Sequence, residues 1–231
     1  MRIYIISDLH ANLEALEALP SDYDELWVLG DLVNYGPDPA AIIEFVRSRA
    51  STVIRGNHDH SVGFDADPQC SPRFRMMAEA TRDFTALTLS ATDKQYLREL
   101  PTFARQEVDA KVFFLCHATP SDLLYEYRAP DSPLWERSED KASNADVILA
   151  GHSHLQFSRM AGERMIVNPG SLGQTKAGDP RARYAIWHDD RVELKALDYP
   201  VEKTAAKILS MPVPNLVKRE LIQVLRTGRA P

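Results

Sequence analysis

The chain has 231 residues, a formal net charge of −6 and 44% hydrophobic residues. This length favours a single domain, and this apolar content is enough for a packed core, which argues against general disorder. The acidic balance argues against a long nucleic acid as partner, and no apolar run approaches the roughly 20 residues that span a bilayer, so we expect no membrane partner.

The cysteine content and the first residues indicate a cytoplasmic protein. Cys70 and Cys116 are far apart in the sequence and do not form the framework of a disulfide-rich secreted domain. The first apolar run turns polar at Ser7 and Asp8, which is too early for a secretory signal peptide. We therefore expect a reducing, cytoplasmic environment.

Five short apolar runs each end in residues of types that bind metal ions. Short runs of Ile, Val, Leu and Phe are typical of buried strands. In chain order, the runs and the polar residues that follow them are 3–6 with Asp8 and His10, 26–29 with Asp31, 52–54 with Asn57 and His58, 112–116 with His117, and 147–150 with His152 and His154.

Helical patterns separate the first three runs. Leu13, Leu16 and Leu19 lie at helical spacing, and Asp38-Pro39 is a typical helix start. This β-α-β-α-β order predicts parallel strands with right-handed crossovers. In open α/β sheets, ligands bind beyond the carboxyl ends of the strands. All five polar clusters follow their runs at that end, so we predict that they converge in one site.

Residues 60–101 have the pattern of a helical insert or cap between the third and fourth runs. Ser71-Pro72 and Thr92-x-x-Gln95 are helix-start signals, the second of them a capping box, and they predict two helices. The arginines of this segment either bind substrate or only solvate an exposed helix.

The second half of the chain predicts antiparallel strands followed by a helical tail at 200–231. The apolar face of the tail must be buried on the sheet or on a second copy of the chain, and we favour a homodimer. We treat 1–231 as one domain that contains the insert and the tail. The strand-like runs are 155–160, 165–167, 184–188 and 192–197, and the helical stretches are 201–210 and 215–226.

The histidines are concentrated in the polar clusters. Taken alone, a histidine after a strand is more often a buried hydrogen-bonded residue than a ligand, and an aspartate there is commonly a helix cap. Five of the seven histidines nevertheless fall in these clusters. A mixed set of imidazoles, carboxylates and an amide, without cysteine, argues against a structural zinc site. It suits manganese, iron, nickel, zinc and related ions.

The clusters D-x-H, G-D, G-N-H-D, a lone His and G-H-x-H, in this order, resemble the calcineurin-like metallophosphoesterases. The match spans residues 3–171, and segments 31–39 and 168–171 resemble its compact bacterial and archaeal phosphodiesterase branch. The resemblance implies an α/β fold, a four-layer α/β/β/α sandwich. It also implies two divalent metal ions per chain, of which we favour manganese, with iron, nickel, zinc or cobalt as alternatives.

The resemblance also assigns roles to residues. It implies that Asp31 bridges the two metals and that His58 is the catalytic histidine. We expect His58 to titrate near neutrality and to protonate the leaving group. The ligands implied are Asp8, His10, Asp31 and His154 for the first metal, and Asp31, Asn57, His117 and His152 for the second.

One departure from the superfamily narrows the function. The Asp-Arg-Gly of its protein Ser/Thr phosphatases is replaced by Asn34-Tyr35-Gly36, which argues against a protein phosphatase. We expect hydrolysis of a small phosphodiester or phosphomonoester by a hydroxide that bridges the two metals. The alternatives are a nucleotide pyrophosphatase or dinucleoside polyphosphate hydrolase, and a non-catalytic metal-binding scaffold. Candidate substrate-binding residues are Tyr35, Arg73, Arg75 and Arg82.

Overall fold

A computed structural model describes residues 1–137 and 140–229 of the chain. Its strands are β1 Arg2–Ile6, β2 Glu25–Val28, β3 Thr52–Val53, β4 Phe103–Val108, β5 Lys111–Cys116, β6 Val147–Leu149, β7 Phe157–Ala161, β8 Arg164–Asn168, β9 Ala182–His188 and β10 Arg191–Leu197. Its α-helices are α1 Leu13–Glu17, α2 Pro39–Arg49, α3 Asn57–Phe64, α4 Arg75–Thr88, α5 Ala91–Glu99, α6 Val201–Ser210 and α7 Asn215–Thr227, and two 3₁₀ helices span Pro133–Glu136 and Asp140–Ala142.

The strands form two five-stranded sheets, with the orders β10-β9-β1-β2-β3 and β4-β5-β6-β8-β7. The pairs β1–β2 and β2–β3 are parallel, which confirms the prediction from the helical patterns between them. The later strands pair antiparallel as β7–β8 and β9–β10, again as predicted, whereas β6 and β8 are parallel. The carboxyl ends of β1, β2, β5 and β6 therefore lie along one side of the molecule.

The two sheets pack face to face, which produces the predicted four-layer sandwich. Alternate residues of a strand face opposite sides of its sheet. Ile3 and Ile5 of β1 accordingly pack against Phe113 and Leu115 of β5 in the core between the sheets. Tyr4 and Ile6 face the helical layer of α1 and α2. The outer face of the second sheet packs against Trp135 in the first 3₁₀ helix, so its covering layer is thin.

Three details of the segment from Asn57 to Val108 differ from the sequence prediction. An additional helix, α3, begins at Asn57 itself, after a three-residue connection from β3. The capping box predicted at Thr92 is wrong, because Ser90 and Asp93 form it and α5 begins at Ala91. Strand β4, an edge strand whose residues alternate in exposure, was not predicted because its polar sequence lacks an apolar run.

The tail covers its apolar face within the same chain. Val217, Leu221 and Leu225 of α7 are buried together with Ile208 of α6 and Met77 of α4. The apolar face that suggested a second copy of the chain is thus buried on the insert, and it gives no argument for a homodimer. Among the described helices, none is both long enough and apolar enough to cross a membrane.

Candidate metal centre

The backbone turns sharply where the strands end, and these turns aim polar side chains at one place. Non-glycine residues at the turns have φ between 45° and 69°, in the left-handed region. Such conformations cost about 1–3 kcal/mol each and persist where surrounding structure holds them, often at functional sites. The residues are Asp8, His10, Ala11, Asp31, Asn34, Tyr35, His152 and His154.

The turns bring together two groups of side chains that could each hold a metal ion. The first group is Asp8, His10 and His154, and the second group is Asp31, His117 and His152. Within each group the candidate ligand atoms lie within 4.8 Å of one another, and every residue is buried. The predicted convergence of the strand-end clusters is therefore found in the structure.

Asp31 belongs to the second group and also faces the first group. Its Oδ2 is 3.8 Å from His10 Nε2 of the first group and 3.3 Å from His117 Nε2 of the second. Its Oδ1 accepts a hydrogen bond of 2.9 Å from the backbone N–H of His58, which fixes the orientation of the carboxylate. One carboxylate oxygen thus faces both groups, as a bridging ligand requires.

The imidazoles of His10, His117 and His154 are oriented by backbone carbonyls. Their Nδ1 atoms face the carbonyls of Val33 at 3.2 Å, Leu29 at 2.7 Å and Gln174. When the ring is neutral, donation from Nδ1–H leaves the lone pair on Nε2, which is the tautomer that binds metal.

Two of these lone pairs face each other, because His10 Nε2 and His154 Nε2 are 3.1 Å apart. In addition, the buried Oδ1 of Asp8 has no hydrogen-bond partner among the described residues. This oxygen lies 3.3 Å from His154 Nε2. Buried lone pairs and a buried carboxylate oxygen without a hydrogen bond are unfavourable unless a cation satisfies them. The first group therefore fits a metal ion.

His152 belongs to the second group, and Asn57 lies beside His117 of the same group. Asn57 donates from its Nδ2 to the carbonyl of Pro68 at 2.8 Å, so its Oδ1 faces His117 Nε2 at 3.1 Å. His152 has its Nε2 3.2 Å from the carbonyl of Tyr125, which leaves its Nδ1 for a metal. An amide oxygen and an imidazole nitrogen are both ordinary ligands of divalent ions.

Burial and mutual charge set the protonation states of these groups. Burial lowers the pKa of His10 well below its usual value, and it lowers that of His152 to about 3. Burial opposes the protonated form of His117 too, but the Asp31 carboxylate overrides it and raises the pKa of His117 to about 9. A metal ion bound by Asp31 and His117 would displace that proton, as metal ligands must be deprotonated.

His58 lies beside the two groups and belongs to neither. Its Nδ1 is 2.8 Å from Asn34 Nδ2, and an amide that donates to Nδ1 leaves the proton on Nε2. Its ring packs edge-on against those of His10 and Tyr35. Burial lowers the pKa of His58 to about 4, so titration near neutrality is not found and the imidazole is neutral at pH 7.

The four candidate substrate-binding residues lie in different surroundings. Tyr35 is only 4% exposed, and its ring is edge-on to His10 and His58 with centroid distances of 4.8 Å. Arg75 pairs with Asp67 and Glu79 of the insert. Arg82 donates to Asp83 and to the carbonyl of Ala66, and Arg73 is an exposed residue just before α4. Tyr35 therefore reaches the centre, whereas Arg75 and Arg82 bond within the insert.

Two residues near the centre were not found from the sequence. The ring of Tyr127, which is 51% exposed, lies 4.0 Å from that of His152. The ammonium of Lys176 lies 4.5 Å from the ring centroid of Phe74, and the charges of Asp8 and Asp31 act on it. Both residues belong to loops without periodicity, where no pattern marks a functional side chain.

Gly56 provides a test of how closely the turns fit around Asp31. A Cβ at Gly56 would overlap the Asp31 carboxylate, lying 2.8 Å from its Cγ. We expect Gly56→Ala to weaken metal binding and to lower the free energy of unfolding by about 1–3 kcal/mol. Gly63→Ala, inside the helix that Gly56 precedes, is the control, because its Cβ would meet the flexible side chain of Arg98 at 3.3 Å. Unchanged metal binding by Gly56→Ala, measured by calorimetry, would show that Asp31 is not confined in this way.

Comparisons with known proteins agree with this arrangement. The family profile described as "Calcineurin-like phosphoesterase superfamily domain" matches residues 1–191. The crystal structure of a metallophosphoesterase from Sphaerobacter thermophilus superposes with a TM-score of 0.83 at 29% identity, covering 99% of each chain. An uncharacterized protein of Methanocaldococcus jannaschii is 27% identical over 95% of this chain and 96% of its own.

A relative with a named activity is more distant. The symmetrical bis(5'-nucleosyl)-tetraphosphatase of Psychromonas ingrahamii is 25% identical over 217 residues, which cover 87% of this chain and 70% of the relative. The family profile, the fold and the two buried metal-binding groups agree with one another. The chain therefore belongs to the calcineurin-like phosphoesterase superfamily and is a metal-dependent phosphoesterase.

Proposed function

We propose that this protein hydrolyses a small phosphodiester or phosphomonoester with two divalent ions held by the two groups. Manganese is our first choice of metal, with iron, nickel, zinc and cobalt as alternatives. Asp31 bridges the ions, and His58 contacts the substrate. The proposed ligands are Asp8, His10, Asp31 and His154 for the first ion, and Asp31, Asn57, His117 and His152 for the second.

The position of Asp31 carries this proposal. A structural metal site holds one ion in one closed set of ligands. Here one oxygen of Asp31 faces His10 Nε2 of the first group at 3.8 Å and His117 Nε2 of the second group at 3.3 Å. Two ions held in this way offset phosphate charge and lower the pKa of a bound water toward about 7. The full set of candidate ligands, together with His58, also argues against a non-catalytic scaffold.

His58 is proposed to act through its Nε2. Asn34 occupies Nδ1, so the proton of the neutral ring is on the other nitrogen. A neutral Nε2–H donates a hydrogen bond to a phosphoryl or leaving-group oxygen without bringing a further charge to the centre. Tyr35 is proposed to hold the rings of His10 and His58 in position by its edge-on packing.

A second candidate is a dinucleoside polyphosphate hydrolase. The relative from Psychromonas ingrahamii is described as a bis(5'-nucleosyl)-tetraphosphatase, and 87% of this chain aligns with it. The exposed ring of Tyr127 beside His152 supports this candidate, because it offers a face on which a base could stack.

Metal removal and a substrate panel test the proposal. Protein stripped with EDTA is expected to lose its activity on bis-p-nitrophenyl phosphate and p-nitrophenyl phosphate, and to regain it with two equivalents of Mn²⁺. Elemental analysis of freshly purified protein identifies the metal. Faster hydrolysis of dinucleoside tetraphosphates than of both generic esters would favour the second candidate. Full activity after metal removal would contradict both.

The cellular context is also a prediction. Cys70 and Cys116 are both free thiols, which supports the cytoplasmic location expected from the sequence. A homodimer has no support from the tail, as its apolar face is covered by α4. Light scattering at micromolar concentration measures the oligomeric state directly.

A further inference from the structure

The loop after β8 is fixed beside the first group. The side chain of Ser171 donates to the carbonyl of Asp8 at 2.8 Å, and the backbone N–H of Gly173 donates to the same carbonyl at 3.0 Å. The carbonyl of Gln174 accepts the hydrogen bond from His154 Nδ1. The chain that leads to Lys176 is therefore bonded to two residues of the first group, and Lys176 follows two positions later.

The ammonium of Lys176 has no anionic partner in the described parts of the chain. Its side chain is half-buried against the ring of Phe74, and Nζ forms no hydrogen bond or ion pair within residues 1–137 and 140–229. Burial lowers the pKa of Lys176 to about 8, while the charges of Asp8 and Asp31 oppose this shift. The residue thus remains largely a cation at pH 7, and it lies within the field of the two carboxylates.

Two basic residues of the insert, unlike Lys176, have anionic partners. Arg75 and Arg82 form ion pairs with acidic residues of the insert, at 2.8 Å to Glu79 and 3.0 Å to Asp83. When two divalent ions occupy the centre, the carboxylates of Asp8 and Asp31 are ligands of these ions. Their negative charge then no longer offsets the positive charge of the Lys176 ammonium. A half-buried cation beside a cationic centre is then unfavourable until an anion binds both.

We propose that Lys176 binds a second phosphoryl group of the substrate, next to the phosphate held at the metal ions. This inference rests on the proposed function and deepens it, because it makes esters of diphosphate or polyphosphate the preferred substrate class. One phosphate lies on the metals, and the next one receives charge-assisted hydrogen bonds from the ammonium. The arginines of the insert are not needed for this contact.

Binding of two phosphonates to the manganese-loaded protein tests the inference without turnover. Methylenediphosphonate carries two adjacent anionic groups, whereas methylphosphonate carries one and occupies only the metals. We expect Lys176→Met to weaken methylenediphosphonate binding about tenfold or more, and to change methylphosphonate binding less than about twofold. Calorimetry at one fixed concentration of free Mn²⁺ keeps chelation by the ligand equal in all titrations.

Two further variants separate this role from a structural one. Lys176→Arg keeps the charge and is expected to retain most of the affinity for methylenediphosphonate. Lys203→Met, at an exposed position of α6, is expected to bind both ligands like the wild type. Equal effects of Lys176→Met on both ligands, or no effect on either, would overturn the inference. Absence of phosphoesterase activity in the wild type would instead contradict the proposed function, and the binding result would still decide the role of Lys176.

Discussion

Asp31→Asn is expected to weaken both metal sites together and to lower kcat/KM about 10³-fold or more. The amide has nearly the same shape, so the left-handed turn at residue 31 remains possible. It lacks the charge, however, and its single oxygen cannot both face His10 and His117 and accept the hydrogen bond from the His58 N–H, as the two carboxylate oxygens do. Metal ions contribute several kcal/mol of transition-state stabilisation, and each 1.36 kcal/mol corresponds to about a factor of ten in rate.

The matched control for Asp31→Asn is Asp83→Asn, an exposed carboxylate of α4 that pairs with Arg82. We expect it to leave metal content and kcat/KM unchanged. Elemental analysis and calorimetric titration with Mn²⁺ give the stoichiometry of each variant. If Asp31→Asn lost one equivalent of metal and kept the other at full affinity, Asp31 would belong to a single site and would not be a bridge.

His58→Ala is expected to reduce kcat about 10²–10⁴-fold while both metal ions remain bound. His58 lies in edge-on contact with His10 and is held by Asn34, but it belongs to neither metal-binding group. Its removal therefore takes away a hydrogen-bond donor to the substrate and leaves the ligands in place. The measurement is kcat on bis-p-nitrophenyl phosphate, combined with metal content from elemental analysis of the same sample.

His188→Ala is the control for this variant, because His188 is an exposed histidine at the end of β9. It is expected to keep the kcat of the wild type. Loss of metal from His58→Ala would mean that the histidine is a ligand, and an unchanged kcat would remove it from the catalytic machinery.

The location of the centre was predictable from the sequence because it depends on simple rules. Apolar runs end where strands end, and parallel strands that alternate with helices place their carboxyl ends on one side. Asp8, Asp31 and His117 follow such runs directly, and the structure brings them together. The family resemblance then supplied what the rules do not, namely the roles of a bridge and of a catalytic histidine.

The surroundings of the centre were not predictable in the same way. Tyr35 was expected to bind substrate, yet it is buried, and its ring packs against those of His10 and His58. Lys176 and Tyr127 reach the centre from loops, whose course depends on tertiary contacts and not on periodicity. The sequence shows which residues can bind metal. It does not show which arginines form ion pairs with acidic residues of the insert.

Anomalous diffraction from crystals grown with saturating Mn²⁺ tests the central claim most directly. We expect two manganese peaks about 3.5–4 Å apart, one at each group, with the Asp31 carboxylate between them. A single peak, or peaks away from Asp8, Asp31 and His117, would contradict a dinuclear centre bridged by Asp31.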